Sequence, residues 1–302
     1  MSLSKEVLAK YRLAGKIAAE VREDAKRTIF EGMPIIDICE KVEALIRERG
    51  GTPAFPCNVS INEIAAHYTS PPNDNRTVPS GSVVKLDLGV HIDGYIADTA
   101  ATVCFDPEYD NLVTAAEDAL KAGIKAIRAG LSTSKFGATV QRVIESHGLK
   151  PVANLTGHQV GKYLIHTGKT LPNVSHFFAS RISAGEVYAI EPFVTLKNAL
   201  GRVEKGDETN IFRFVKQKSL KSEAAKRLCG IIAQNFHTLP FAERWLQNNS
   251  ASESYKAAFS ELLSSKTLTS YQVYVEASAK PVAQAEHTVI VTQDGCEVTT
   301  SE

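Results

Sequence analysis

The chain has 302 residues, with Lys+Arg and Asp+Glu balanced at 34 each and 43% hydrophobic residues. That is the make-up of an ordinary globular protein, long enough for one large domain or two smaller ones. The balance of charge gives no electrostatic reason to expect a nucleic acid or an anionic membrane as partner, and no apolar run approaches the ~20 residues that span a bilayer.

Residues 4–30 read as a helix. Val7, Leu8, Tyr11, Leu13, Ile17, Ala18 and Val21 recur at roughly helical spacing between charged residues. The start, MSLSKEVLAKYRLAGKIAAEV, is charged throughout, so no secretory signal is expected. Pro34 interrupts, a second helix runs from Ile35 to Ile46, and RERGG at 47–51 stops it. Residues 52–82 read as loop-rich, with Pro53, Pro56, Pro71, Pro72 and Pro79, and they carry His67. The cysteines at 39, 57, 104, 229 and 296 are widely spread without a CxxC pair. They argue against a disulfide framework or a thiolate zinc site and fit a reducing cytoplasm.

Residues 83–103, VVKLDLGVHIDGYIADTAATV, carry Asp93-Gly94 between two alternating apolar runs, a strong hairpin signal. A two-residue loop there sets Ile92 opposite Tyr95 and Gly89 opposite Asp98. Asp87 then shares a face with Asp98, one diagonal step away. A slip of one residue would send the two carboxylates to opposite faces. Two acids on one face repel and are costly to bury unless a cation lies between them.

Helices are expected over 111–128 and 132–147, the second starting on Ser/Thr caps. LTGHQVGKYLIHTGKT at 155–170 places His158 and His166 among glycines. GEVYAIEPFV at 185–194 sets Glu191 in an apolar strand, and AQAEHTVIVT at 283–292 does the same with Glu286. Between these strands, residues 219–265 read as helices. Leu228, Ile231, Ile232 and Phe236 form one apolar face and Tyr255, Ala258, Phe259 and Leu262 another, with a turn in NNSASES at 248–254.

Asp87, Asp98, His158, Glu191 and Glu286 together offer four carboxylates and an imidazole, a donor set for divalent Mn, Fe, Co or Zn. Four carboxylates exceed what one +2 ion needs. Two ions roughly 3.5–4 Å apart with bridging carboxylates fit better.

The order and local wording of these motifs resemble the type II methionine aminopeptidases of the pita-bread fold. The matching stretches are AAHYT, KLDLGVHIDGYIADTA, GHQVGKYLIHTGK, EVYAIEPF and AQAEHT. The resemblance implies an α+β fold with a pseudo-two-fold antiparallel sheet covered by helices. It implies one catalytic domain over residues 1–302, with a type II helical insertion at about 205–270, and a short archaeal form without the eukaryotic N-terminal extension. It further implies removal of the initiator methionine before a small second residue, by a hydroxide bridging two divalent ions (Co, Mn, Fe or Zn). Asp87 would chelate one ion, Asp98 and Glu286 would bridge both, and His158 and Glu191 would complete the other. Glu191 would also take the proton of the attacking water. His166 would bond the scissile carbonyl and His67 would act near the leaving amide. Phe55 and Ile165, with Tyr271, would wall the methionine pocket.

The N-termini of nascent polypeptides are the implied partners, and a cytoplasmic monomer is expected. Ribosome association would suit such an enzyme, although no sequence feature shows it. Pro192 departs from the Thr that many relatives carry after this Glu, and a local effect on the pocket rim is expected. Two other readings share the fold. An Xaa-Pro aminopeptidase or prolidase would usually carry a separate N-terminal domain, whereas only about 66 residues precede His67. A non-catalytic binding relative would lose ligands, and all five are present.

Overall fold

The protein is described by a computed structural model covering residues 3–177, 179–249 and 252–301. Helix α1 (Lys5–Thr28) begins where the Ser4 hydroxyl accepts the Val7 N–H at 3.2 Å. Helix α2 (Ile35–Glu48) follows Pro34 and ends before Gly50, whose φ of +83° only glycine adopts without strain. Strand β1 (Thr52–Ile61) corrects the loop-rich reading of the next stretch, and β2 (Ile64–Ala66) follows it. The register of β1 shifts between Pro53 and Phe55 and again between Phe55 and Asn58. The prolines thus sit at an irregular sheet edge, where a missing N–H costs the ladder little.

Strands β3 (Val83–Ile92) and β4 (Tyr95–Cys104) form the expected hairpin, with Ile92 opposite Tyr95 and Gly89 opposite Asp98. Asp93 and Gly94 both have positive φ, +51° and +86°, the two-residue loop whose twist matches the strands. Leu86, Leu88 and Val90 are buried on the far face, each contributing about 1.5–3 kcal/mol as an upper bound.

Helices α3 (Asp110–Ala126) and α4 (Thr133–Ser146) come next. Ser132 is at the N-cap of α4 but makes no side-chain cap bond there; the Thr133 hydroxyl instead accepts the Ser180 N–H at 3.1 Å. Then come β5 (Lys150–Pro151), β6 (Thr156–Gln159), β7 (Thr170–Pro172), β8 (Val187–Ile190), β9 (Phe193–Thr195), β10 (Val203–Lys205) and β11 (Ile211–Phe214). Helix α5 (Glu223–Phe236), β12 (Pro240–Ala242) and α6 (Glu253–Ser264) follow. The chain closes with β13 (Leu268–Tyr271), β14 (Tyr274–Glu276), β15 (Val282–Gln284), β16 (His287–Val291) and β17 (Cys296–Val298).

The ladders among the described strands are antiparallel, in sheets ordered β1-β3-β4, β17-β16-β8-β6-β7, β15-β9-β5, β10-β14-β2 and β12-β11-β13. Helices α1 and α2 cover the first sheet and share its core. Helices α3 and α4 cover the second and third in the same manner. The functional side chains gather between these two helix-backed halves.

Helices α5 and α6 build their own core from Leu228, Ile232, Tyr255, Ala258, Phe259 and Leu262. Two details differ from the sequence reading. Ile231 is 44% exposed, because the i, i+4 pair Leu228 and Ile232 forms the buried stripe. Strand β12 lies within the stretch read as helices, and β11 and β13, which flank that stretch, complete its sheet, so it is not wholly helical. The turn read at 248–254 includes Ser250 and Ala251, outside the described residues. A buried pair fastens this segment to α2: Arg244 binds the Glu43 carboxylate, which also accepts the Trp245 Nε1–H at 2.6 Å.

Candidate metal centre

Strand period two puts Asp87 on β3 and Asp98 on β4 on one face of the hairpin. His158 comes from β6, Glu191 directly follows β8, and Glu286 directly precedes β16. Threonines and backbone lace the hairpin to the C-terminal strand. The Thr288 hydroxyl accepts the Asp98 N–H at 2.7 Å and donates to the Asp98 carbonyl at 2.8 Å. The Thr99 hydroxyl donates to the Glu286 carbonyl at 2.8 Å, and the Glu286 N–H donates to Ala100 O at 3.0 Å.

Ligand atoms of Asp98, His158 and Glu286 lie within 4.8 Å of one another. His158 Nε2 is 3.4 Å from Glu191 Oε1 and 3.8 Å from Asp98 Oδ2. All five side chains line one cavity of about 320 Å³.

Burial pushes the carboxyl of Asp87 up to about 7 and those of Asp98, Glu191 and Glu286 well above the usual range, and repulsion adds to it, from Asp87 on Asp98, from both aspartates on Glu191, and from Asp98, Glu191 and Asp87 on Glu286. Burial likewise holds the His158 imidazole well below its usual value. The one ammonium on this strand face does not relieve the repulsion. Buried Lys85 donates to the carbonyls of Asn62 and Val282, at 2.9 and 2.8 Å, and burial lowers it to about 7. Asp87 Oδ1 and Asp98 Oδ1 are buried and accept no hydrogen bond among the described residues. Four carboxylates around one cavity, two of them with an orphaned oxygen, and a neutral imidazole fit divalent metal, since hard cations take such oxygens and supply the missing positive charge.

The other expected residues line the same cavity. His67 has a φ of +65°, a strained conformation for a β-carbon residue. Its Nδ1 is 3.3 Å from the Gln272 carbonyl, and its ring lies 5.0 Å from that of Tyr274 and 5.5 Å from that of Tyr271. The His166 ring is 4.3 Å from that of His158. Burial lowers both His67 and His166 to about 4, so each is neutral at pH 7 and keeps one N–H donor. Phe55 and Ile165 belong to one apolar cluster with Ala54, Ile96 and Leu239. Phe55 occupies the space that Gly89 leaves open; a β-carbon on Gly89 would meet its ring at 2.3 Å. Tyr271 stands apart from that cluster, edge-on to His67 and 6.3 Å from the His166 ring. Pro192 is buried, and Glu191 remains on the cavity wall beside it.

Two positioning residues escaped the sequence reading. Gln284 Nε2 lies 3.3 Å from Glu191 Oε2 and 3.4 Å from Glu286 Oε2, joining the two glutamates. Its signal was the i, i+2 spacing from Glu286. Asn58 sits opposite Asp87 in the ladder, and its Nδ2 donates to Asp87 Oδ2 at 3.4 Å. That contact depends on a strand read as loop, so nothing local pointed to it.

A family model described as metallopeptidase family M24 matches residues 9–293. The chain is 43% identical over 298 residues to a methionine aminopeptidase of Methanothermobacter thermautotrophicus, covering 98% of this chain and 99% of that one. Among solved structures it is similar to a thermophilic Arx1, with a TM-score of 0.85 at 19% identity over 99% of this chain and 91% of that one. It is also similar to a methionine aminopeptidase of Thermotoga maritima, with a TM-score of 0.72 at 20% identity over 100% and 99% of the two chains. At those identities the two structures speak for the fold alone.

Proposed function

The chain belongs to metallopeptidase family M24 and has its α+β pita-bread fold, and from that premise we propose that it is a metal-dependent methionine aminopeptidase. It removes the N-terminal methionine from peptides and nascent proteins with a small second residue. The observation that carries this is the convergence of four carboxylates and His158 around one cavity, with no Lys or Arg ion-paired to them among the described residues, beside the apolar wall of Phe55 and Ile165.

Asp87, Asp98, His158, Glu191 and Glu286 would hold two divalent ions, Co, Mn, Fe or Zn. When bound, these supply Lewis acidity at the scissile carbonyl and bring a water's pKa near neutrality. The remaining steps belong to this chain's own side chains. Negative carboxylates at the floor of the cavity favour a free α-amino group and so an N-terminal substrate. Glu191 takes the proton of the attacking water. His166, neutral at pH 7, donates its N–H to the carbonyl oxygen as charge develops there; groups so placed contribute about 2.7–4 kcal/mol. His67, also neutral and held by the Gln272 carbonyl, attends the leaving amide. The unbranched thioether of methionine packs against Phe55 and Ile165 through dispersion and shape. The five unpaired cysteines suit a reducing cytoplasm, where the proposed enzyme acts as a monomer on nascent chains in reach of the ribosome.

Three peptides test this with metal-loaded protein. Free methionine is expected from Met-Ala-Ser and not from Met-Arg-Ser, with Ala-Pro-Ser intact. Cleavage of Ala-Pro-Ser alone would make the protein an Xaa-Pro peptidase. Cleavage of none, with metal bound, would refute the catalytic reading.

A further inference from the structure

We propose that Arg213 forms a carboxylate-binding subsite for the part of the peptide beyond its second residue, a reading that rests on the aminopeptidase function above. Arg213 lies on β11 two residues after Ile211, so both project to the same side of the strand. Ile211 lines the cavity and pairs with Tyr271, while Arg213 pairs with Pro240, which also lines it, and with Thr269. The half-buried guanidinium therefore stands one pleat beyond the cavity wall. Its positive charge acts on two cavity residues, adding to the burial that lowers His166 and opposing the burial that raises Tyr271.

Among the described residues Arg213 has no acceptor of its own. Its Nε is buried without a hydrogen-bond partner, and no ion pair of its guanidinium forms among the described residues. Lys169, which does line the cavity, is held by Glu186. A buried donor without an acceptor is costly, and a guanidinium fork is shaped to take a carboxylate bidentately.

Substrate polarity says which part of the peptide reaches it. The α-amino end faces the acidic floor, and the scissile amide lies by His166 and His67. The chain beyond therefore leaves past Tyr271, towards Arg213. The chemistry recognised is a carboxylate. It can come from an acidic side chain at the third residue or from the C-terminal carboxylate of a short peptide.

Two peptide pairs separate these sources. One sets Met-Ala-Asp-Gly amide against Met-Ala-Asn-Gly amide; the other sets Met-Ala-Gly as free acid against its amide. The readout is the ratio of kcat/KM within each pair, which does not depend on the fraction of protein that is folded. Wild type is expected to favour the carboxylate member of at least one pair by about three- to tenfold, narrowing at high salt. Arg213→Gln brings that ratio to about one, and Arg213→Lys retains part of it. Ratios of one in both pairs for wild type, or an unchanged ratio in Arg213→Gln, would overturn the subsite while leaving the aminopeptidase function standing. Failure of metal-loaded wild type to release methionine from any of the four peptides would instead overturn the aminopeptidase reading, and this subsite with it.

Discussion

Replacing Asp98 by Asn is expected to have two opposite effects. Methionine release falls to background, because a proposed metal ligand is gone. The metal-free protein, in contrast, melts at a higher temperature than metal-free wild type, because one of four mutually repelling buried carboxylates has been neutralised. Thermal unfolding after chelation reads the second effect. An unchanged or lower Tm would mean that these acids do not repel one another. His67→Ala is expected to keep its metal and lose about 10²–10⁴ in kcat, the range for one acid–base group. Metal analysis beside kinetics checks it, and a loss of less than about threefold would remove His67 from the mechanism. Residues such as Asp87 and Asp98 were legible in the sequence because period-two geometry fixes their face once the Asp-Gly turn is placed. Asn58 was not, because its meeting with Asp87 depends on pairing across 29 residues.

The hairpin β3–β4 links turn chemistry to substrate binding. Its loop sets the register, the register puts Gly89 opposite Asp98, and the missing side chain at Gly89 gives Phe55 its place. Gly89→Ala is therefore expected to displace Phe55, raising KM for Met-Ala-Ser and costing about 1–3 kcal/mol of stability. Steady-state kinetics and urea unfolding measure both, and unchanged values would show that Phe55 is not held in this way. Arg244 ties the α5–α6 segment to α2 and shares the Glu43 carboxylate with the Cys57 N–H and Trp245. Arg244→Ala leaves Glu43 buried and unpaired, which costs about 3–5 kcal/mol. A shift of the urea midpoint checks it. The long helices were legible because each carries a wide apolar stripe and a cap or stop residue. Strand β1 was not. Its prolines signal a loop locally, and only its neighbour β3 and the bulges between them make it a strand.

In the folded molecule the two helix-backed halves meet along a seam of like charge. The carboxyls of Asp87, Asp98, Glu191 and Glu286 have folded-state pKa values above their unfolded ones, so each of these groups keeps its proton to higher pH in the folded metal-free protein than in the unfolded chain. Their contribution to stability is fully present below the unfolded carboxylate pKa of about 4 and is lost as pH rises through the folded values, about 7 for Asp87. Bound metal removes this loss and itself binds more tightly as the ligands deprotonate. The Tm gap between metal-loaded and metal-stripped protein should therefore widen from pH 5 to pH 8. Calorimetry at both pH values tests it, and a constant gap would contradict the account. The five proposed ligand positions were visible one by one in separate stretches of the sequence. Their convergence was carried by resemblance to a family, because no local pattern reveals which strands pair across the seam.

The most direct measurement is a titration of metal-stripped protein with Co²⁺ while free methionine released from Met-Ala-Ser is followed, with Asp98→Asn run alongside. The account predicts no release without metal, release that rises with added ion to a plateau in wild type, and none in the variant at any metal level. Full turnover by the stripped protein, or undiminished turnover by Asp98→Asn, would contradict it.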